Sequence, residues 1–446
     1  MIDETVILLS QLEDCSGHRL AKYIPGHLEF NTDIDIYFRK PLQQVFSKVI
    51  AYDFTKRMIE IGVKGVNEEV IGLVRREHPK YVLWLSATYE ILESTFDIIR
   101  EEGSIVVGWF FDDEYRFAHY SKWWVPHLDY CVTFDVEALP KYKALGARVI
   151  PELCCEGIPI ERDWSNIEEK YDVSFVGWRD KAQREQYINE IKKRNIPVHL
   201  FGRGWEGGYV STEEMIDIFK TSKINLNFSM KGSGIVGIQG RITFVCLAGG
   251  FLLTEYATDI ERYFEIGKEI ACFKNAEEMI EKITYYLNHD EERRAIAQAG
   301  WKRATNEYTP FHMLSRVFDE IEKDLATGDR KTYPQKLKMP IWVRNSPSQY
   351  YFQWGKAFLE EGYDGLGKDA IALSLSYNPY NIAARYYNII GSAPAFMRPP
   401  LCKLYLPFRV AGKLCTKVLI KLLGWADSIP YLRNLKQRTS KELHYS

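Results

Sequence analysis

The sequence is short of several features at once. Its eight cysteines (15, 131, 154, 155, 246, 272, 402 and 415) include no C-x-x-C pair and no histidine at zinc-binding spacing. Neither a disulfide framework nor a zinc module is expected, and the thiols read as reduced and mostly buried. No stretch approaches the roughly 18–20 uninterrupted apolar residues of a membrane span. The opening MIDETVILLSQ puts acids where a signal peptide carries positive charge, and its apolar run at 6–9 is too short, so a cytoplasmic location is expected. Net charge is almost absent, 60 acidic residues against 58 basic, which gives no reason to expect a nucleic-acid partner.

With 446 residues the chain is too long for one core, so two or three domains are expected. A hydrophobic content of 46% with 26% charge is that of a globular protein and excludes disorder. Aromatic residues are plentiful, with 11 Trp and 28 Tyr. Most belong to cores, but such side chains also line sugar and nucleoside pockets.

Up to about residue 155 apolar runs alternate with helical periodicity: VILLS, YVLWLS (81–86), IVVGWFF (105–111), YCVTF (130–134) and RVIPEL (148–153), with helix-like stretches at 67–77 and 89–102. After a polar segment at 160–170 a second series begins: VSFVG (173–177), VHLFG (198–202), INLNF (224–228), FLLTE (251–255) and EIACF (269–273). Strands alternating with helices predict parallel sheets covered on both faces. The α/β expectation is therefore two doubly wound, Rossmann-like domains facing a cleft, 1–160 and 161–328. Beyond them come a proline-punctuated linker with a helical hairpin (329–397), whose Gly355, Gly362, Gly367, Ser374 and Pro379 match one tetratricopeptide-like unit, and a basic tail (398–446).

Within KGSGIVGIQGR, Gly232, Gly234 and Gly237 fall on the G-x-G-x-x-G spacing of a dinucleotide loop. Such a loop normally follows the first strand of its domain, whereas here two strands precede it, so a nicotinamide enzyme is disfavoured. Its glycines still let backbone N–H groups approach an anion, and Gly234, Gln239, Gly240 and Arg241 are the expected diphosphate contacts. Gly177, Trp178 and Arg179, and likewise Gly202, Arg203, Gly204 and Trp205, follow strands directly; glycine permits close approach, arginine supplies a fork for phosphate oxygens and tryptophan a face for a base or sugar. Asp112 and Asp113, with Glu114, end IVVGWFF and offer a general base for an acceptor hydroxyl; a metal pair and a helix cap are the alternatives. His119 and His127 stand nearby.

The run from about 171 to 325 resembles the donor half of CgeB-like bacterial glycosyltransferases of the GT-B superfamily. The matching text is VSFVGWRDKAQR, HLFGRGW, SKINLNFS, QGR with AGGFLLTEYATDIERYFEIGKEIACF, and YYLNHDEERRAIAQAGWKRATNEYT. WFFDDEYRF and LDYCVTFD resemble the amino-terminal half of such enzymes. The resemblance implies a GT-B fold and transfer of a sugar from a nucleotide-diphosphate sugar, UDP-type by expectation, to a glycan or lipid-linked glycan, with no other cofactor and no obligatory metal. It also implies that the segment holding Glu261 borders the sugar pocket. Where related sequences read G-R-x-x-E, with a glutamate that holds the donor ribose, this chain has Phe244; Thr243 and Glu255 are the expected substitutes. A catalytically silent scaffold and a nucleotide-sugar epimerase are the alternatives on the same fold.

The tail holds ten Lys/Arg against Asp427 and Glu442. Lys413, Lys417 and Lys421 form one helical stripe, with Leu414, Val418, Leu419, Leu422 and Leu423 on the other face. This pattern suits a helix lying on an anionic membrane surface, at the inner face of the membrane, or one packed on protein.

Overall fold

The apolar runs of the first half become six parallel strands: β1 (Ile2–Ser10), β2 (Phe46–Asp53), β3 (Tyr81–Ser86), β4 (Ile105–Phe110), β5 (Tyr130–Thr133) and β6 (Val149–Pro151). They lie in the order β2-β1-β3-β4-β5-β6. The second half adds β7 (Tyr171–Val176), β8 (His199–Phe201), β9 (Ser222–Asn227), β10 (Leu252–Glu255) and β11 (Ala271–Phe273), ordered β11-β10-β9-β7-β8. All of these pairings are parallel. This computed structural model describes residues 1–24, 28, 34–86, 88–179, 182–229, 237–328, 334, 336 and 338–392.

Both sheets begin with the same doubly wound order, second strand, first, third, fourth and fifth. Connections reverse direction beside the first strand, so the switch points are β1/β3 in one sheet and β7/β9 in the other. The α/β architecture of two doubly wound sheets is the one expected. Every residue of β3, β4 and β5 is buried, which is why these strands read as unbroken apolar runs. β2 does not read as a strand. It is an edge, with Ser47 and Lys48 exposed, so its pattern is diluted by polar residues.

The helix Pro310–Ala326 begins at a Thr309 cap with proline in its first turn. Sequence position puts it in the second domain, yet it covers the first sheet. Phe318 meets Phe46 and Tyr81 edge-on, with ring centroids 4.6 and 5.1 Å apart. Glu322 accepts from the Tyr81 hydroxyl at 2.6 Å, and Asp324 from the Tyr130 hydroxyl at 2.6 Å and Arg148 at 2.8 Å. The two halves are thereby stitched together by burial and by polar bonds at the helix's far end.

The chain divides into two compact units, Met1–Gly17 with Gly26–Met339, and His18–Pro25 with Pro340–Ser446. The second unit contains helices Ile341–Glu360, Asp364–Tyr377 and Ile382–Ser392. The first two press together at glycines: a Cβ on Gly355 would lie 2.7 Å from Ile371, and one on Gly367 would lie 2.8 Å from Leu359 Cδ2. The first helix already contains Pro347, which therefore stands inside it instead of in the proline-punctuated linker. The basic tail, with its lysine stripe, lies outside the described residues. Among the described residues no helix is long and apolar enough to cross a membrane.

Candidate functional site

β7 delivers the chain to Gly177, Trp178 and Arg179, and β8 delivers it to Gly202–Trp205. The two loops continue the ladder: Gly177 N–H donates to Phe201 O at 2.8 Å and Arg179 N–H to Arg203 O at 3.0 Å. Gly202 makes this possible. Its φ is +108°, and a Cβ there would fall 2.8 Å from the Gly177 carbonyl carbon.

From the other side of the switch point comes Arg241, the first residue of the helix Arg241–Leu247. Its Nη1 donates to Asn227 Oδ1 at 3.2 Å, at the end of β9. Its Nη2 lies against Gly177, 3.2 Å from where a Cβ would stand. Asn227 is held in turn, its Nδ2 donating to Thr254 Oγ1 at 2.9 Å and Ser229 Oγ at 3.0 Å. A third element brings Arg184, buried on the helix Ala182–Lys193, whose Nη1 donates to Trp178 O at 2.7 Å.

Arg184 and Arg241 converge on one ring. Their guanidinium carbons stand 5.6 and 5.7 Å from the centroid of Phe175. Burial, then the Arg184 charge, pull the Arg241 pKa from 12.5 down to about 10, and the carboxylate of Glu156 offsets only part of this. Arg241 is thus held between a second guanidinium group and one carboxylate, a buried cation of the kind that favours an anion beside it.

The other residues expected in the donor site divide. Trp178 is 43% exposed, with the Arg203 guanidinium 5.5 Å from its ring centroid, and keeps an open aromatic face. Trp205 does not: it is buried edge-on against Phe175, centroids 6.3 Å apart, under the Arg179 guanidinium. Gln239 and Gly240 lead into Arg241, and Gly240 is pressed by Glu156, whose Cγ would be 2.5 Å from an added Cβ. Thr243 is buried. Its hydroxyl accepts from Glu156 N–H at 2.9 Å and lies 2.8 Å from Gly240 O, so it clips two chain segments and offers no free face to a ribose. Glu255, also buried, accepts from Gln183 Nε2 at 3.0 Å and Tyr187 OH at 3.2 Å. Glu261 is exposed in the turn Ile260–Arg262. Phe244 is buried against Phe219, ring centroids 5.5 Å apart. Gly234, with Gly232, lies outside the described residues.

The adjacent acids after β4 face opposite ways. Asp112 is exposed in a left-handed conformation, φ 59°, and accepts from Tyr115 OH at 2.9 Å. Asp113 is 1% exposed: one carboxylate oxygen accepts from Ser121, the other from Thr133 at 2.7 Å and Tyr142 at 2.8 Å. Burial pushes its carboxyl above the usual range, and the three hydroxyl bonds oppose that. A carboxylate so enclosed has no reach toward an acceptor hydroxyl, so the expectation that both acids present themselves is corrected: Asp113 braces the first half from within. His127 pairs with Asp97 at 2.9 Å. Among the described residues no group of three His, Cys, Asp or Glu is placed to hold a metal ion.

Sequence reasoning missed Arg184, Asn227 and Glu156. Asn227 left a signal, a polar residue inside the buried run INLNF, whereas Arg184 and Glu156 left none.

Residues 181–319 match the model of a family described as glycosyl transferase-like, a span that contains Arg184, Asn227, Arg241 and Glu255. No curated protein matches the sequence. Similar solved structures include Anabaena HepE in complex with UDP and glucose, at 10% identity and a TM-score of 0.47 over 72% of this chain and 100% of that one. Another is a sucrose-phosphate synthase from Thermosynechococcus elongatus, at 9% identity and a TM-score of 0.47 over 73% and 100%. At that distance the site rests on this chain's own residues.

Proposed function

We propose that the chain is a transferase of the CgeB-like, GT-B kind that moves a sugar from a nucleotide-diphosphate sugar to a carbohydrate hydroxyl. The observation that carries the reading is the convergence of Arg184 and Arg241 on Phe175 at the β7/β9 switch point, where doubly wound sheets bind ligands. In the transfer, the acceptor oxygen bonds to the anomeric carbon while the bond from that carbon to the phosphate oxygen breaks. Negative charge grows on the departing diphosphate, and fixed guanidinium groups stabilise it more in the transition state than in the ground state. The open face of Trp178 suits a base or a sugar ring. The acceptor proton needs a base; Asp112, exposed at the end of β4, is the carboxylate we assign to it.

A UDP-type donor, a glycan or lipid-linked glycan acceptor and an anionic membrane surface for the basic tail belong to the same proposal, on sequence grounds. A second reading, a silent nucleotide-sugar binder, is favoured by Phe244, buried where related sequences carry the ribose-binding glutamate. A panel of nucleotide sugars separates the two, scored for thermal shift, donor hydrolysis and transfer to oligosaccharides. Binding with turnover supports the transferase, binding without turnover supports the silent protein, and absence of binding overturns both.

A further inference from the structure

The segment joining the two sheets touches the donor site at Glu156 and Gly157. Gly157 has φ +95°, and a Cβ there would lie 2.9 Å from Phe244 Cα, so the chain is pressed onto the helix Arg241–Leu247. One residue earlier, Glu156 is fixed through its backbone, its N–H donating to Thr243 Oγ1 at 2.9 Å. Its carboxylate lies over Gly240, with Oε1 2.6 Å from where a Cβ would stand. Any side chain at 240 would displace it.

Burial pushes the Glu156 carboxyl above its usual range and the Arg241 charge opposes that, yet no hydrogen bond or ion pair joins the two. The orientation of Arg241 comes from Asn227, Phe175 and Gly177 instead. Glu156 is therefore not the clamp that aims the arginine. It contributes negative charge beside Arg241, where a ligand's phosphates belong on the reading above.

We propose that Glu156 is a built-in counter-ion of the donor site that competes with the ligand's diphosphate for Arg241; this rests on the reading of Arg184 and Arg241 as the diphosphate site. Its consequence is kinetic as well as thermodynamic. A nucleoside diphosphate left behind after transfer carries more charge on its terminal phosphate than the intact donor does, and is the species a site of bare arginines would retain. A resident carboxylate weakens that hold and speeds release, a step that limits turnover in many enzymes.

The test measures binding of inorganic pyrophosphate, UDP and uridine by calorimetry to the full chain and to Glu156→Gln, Glu156→Ala and Arg241→Ala. Both Glu156 variants keep the backbone bond to Thr243, and thermal melts confirm their folding. Glu156→Gln should bind pyrophosphate and UDP on the order of ten- to a hundredfold more tightly, the scale on which one neighbouring charge shifts an equilibrium. Uridine, having no phosphate, should bind unchanged, and Glu156→Ala should repeat the gain if the Gln variant misfolds. Unchanged or weaker pyrophosphate binding in the folded Glu156 variants, with binding lost in Arg241→Ala, overturns the counter-ion role and leaves the diphosphate site standing. Pyrophosphate binding by Arg241→Ala as tight as by the parent chain overturns the diphosphate reading, and the inference with it.

Discussion

Replacing Arg241 with leucine should leave the ligand-free protein as stable as before, or slightly more so, while destroying its diphosphate site. Burial and the Arg184 charge hold Arg241 near 10, below its ordinary 12.5, which means that the fold disfavours the charged form. At about 1.4 kcal/mol per unit, that depression corresponds to at most roughly 3 kcal/mol at neutral pH. The side chain retains some solvent, so a discounted penalty of about 1–2 kcal/mol is the better figure. Losing the hydrogen bond to Asn227 gives back about 1 kcal/mol. The net change is between zero and a gain of about 1 kcal/mol, a rise in Tm of no more than about 2–4 °C. Because the folded pKa lies below the unfolded one, the penalty is complete at all pH values below about 10 and fades only as the pH rises through that value. The difference between variant and parent should therefore be flat from neutral pH up to the approach to 10. Calorimetry with UDP should show at least a loss on the order of a hundredfold, since two charge-assisted bonds of about 1.5–3 kcal/mol each disappear. A variant destabilised by several kcal/mol would show that the guanidinium is a structural brace, and retained UDP affinity would place the phosphates elsewhere.

Asp113→Ala should destabilise the first half by about 2–4 kcal/mol in urea unfolding, because Ser121, Thr133 and Tyr142 lose a buried acceptor together. Because the folded carboxyl titrates above its unfolded range, its ionisation penalises the fold at neutral pH, and the penalty falls as the pH drops through the folded pKa; thermal melts of parent and Asp113→Asn should converge in that acidic range. Gly202→Ala should cost several kcal/mol, or prevent folding, since it combines φ +108° with a collision against the Gly177 carbonyl; a melt near the parent's would refute the close packing of the two loops. Gly240→Ala has a helical φ of −55° and its three nearest neighbours all belong to Glu156, so its cost of about 1–3 kcal/mol should largely vanish in the Glu156→Ala background; additive losses in the double-mutant cycle would show that the two residues do not touch.

Interior strands were legible because burial on both faces leaves a plain apolar run: YVLWLS and β3 coincide at both ends, 81–86. β2 was not legible, because an edge strand that shows Ser47 and Lys48 to solvent carries a mixed pattern. That the helix Pro310–Ala326 covers the first sheet was not legible, since periodicity reveals an apolar face without saying what meets it. Pro347 misled in the opposite sense: proline marks helix ends in isolated sequence, but it stands buried inside the helix Ile341–Glu360, where tertiary packing outweighs the lost bond.

The site divides along the same physical line. Glycines whose backbone must approach another strand announce themselves because few other residues can do that work; Gly202 packs on Gly177, and the Arg241 guanidinium lies against Gly177. Chemistry that depends on which way a side chain turns does not announce itself. Asp112 and Asp113 are neighbours with the same functional group, yet a left-handed turn at Asp112 leaves one acid in water and buries the other among three hydroxyls. Residues recruited from distant elements are hidden more deeply still. Arg184 reaches Phe175 from a helix, and Glu156 reaches Gly240 from the connection between sheets, so their roles exist only once β7, β9 and that connection have been brought together. On the proposed reading, the charge that an anion would meet is set by these two unannounced residues as much as by Arg241. The affinity of such a site is therefore a property of the assembled fold, and a loop motif transplanted without its Arg184 and Glu156 equivalents would not carry it.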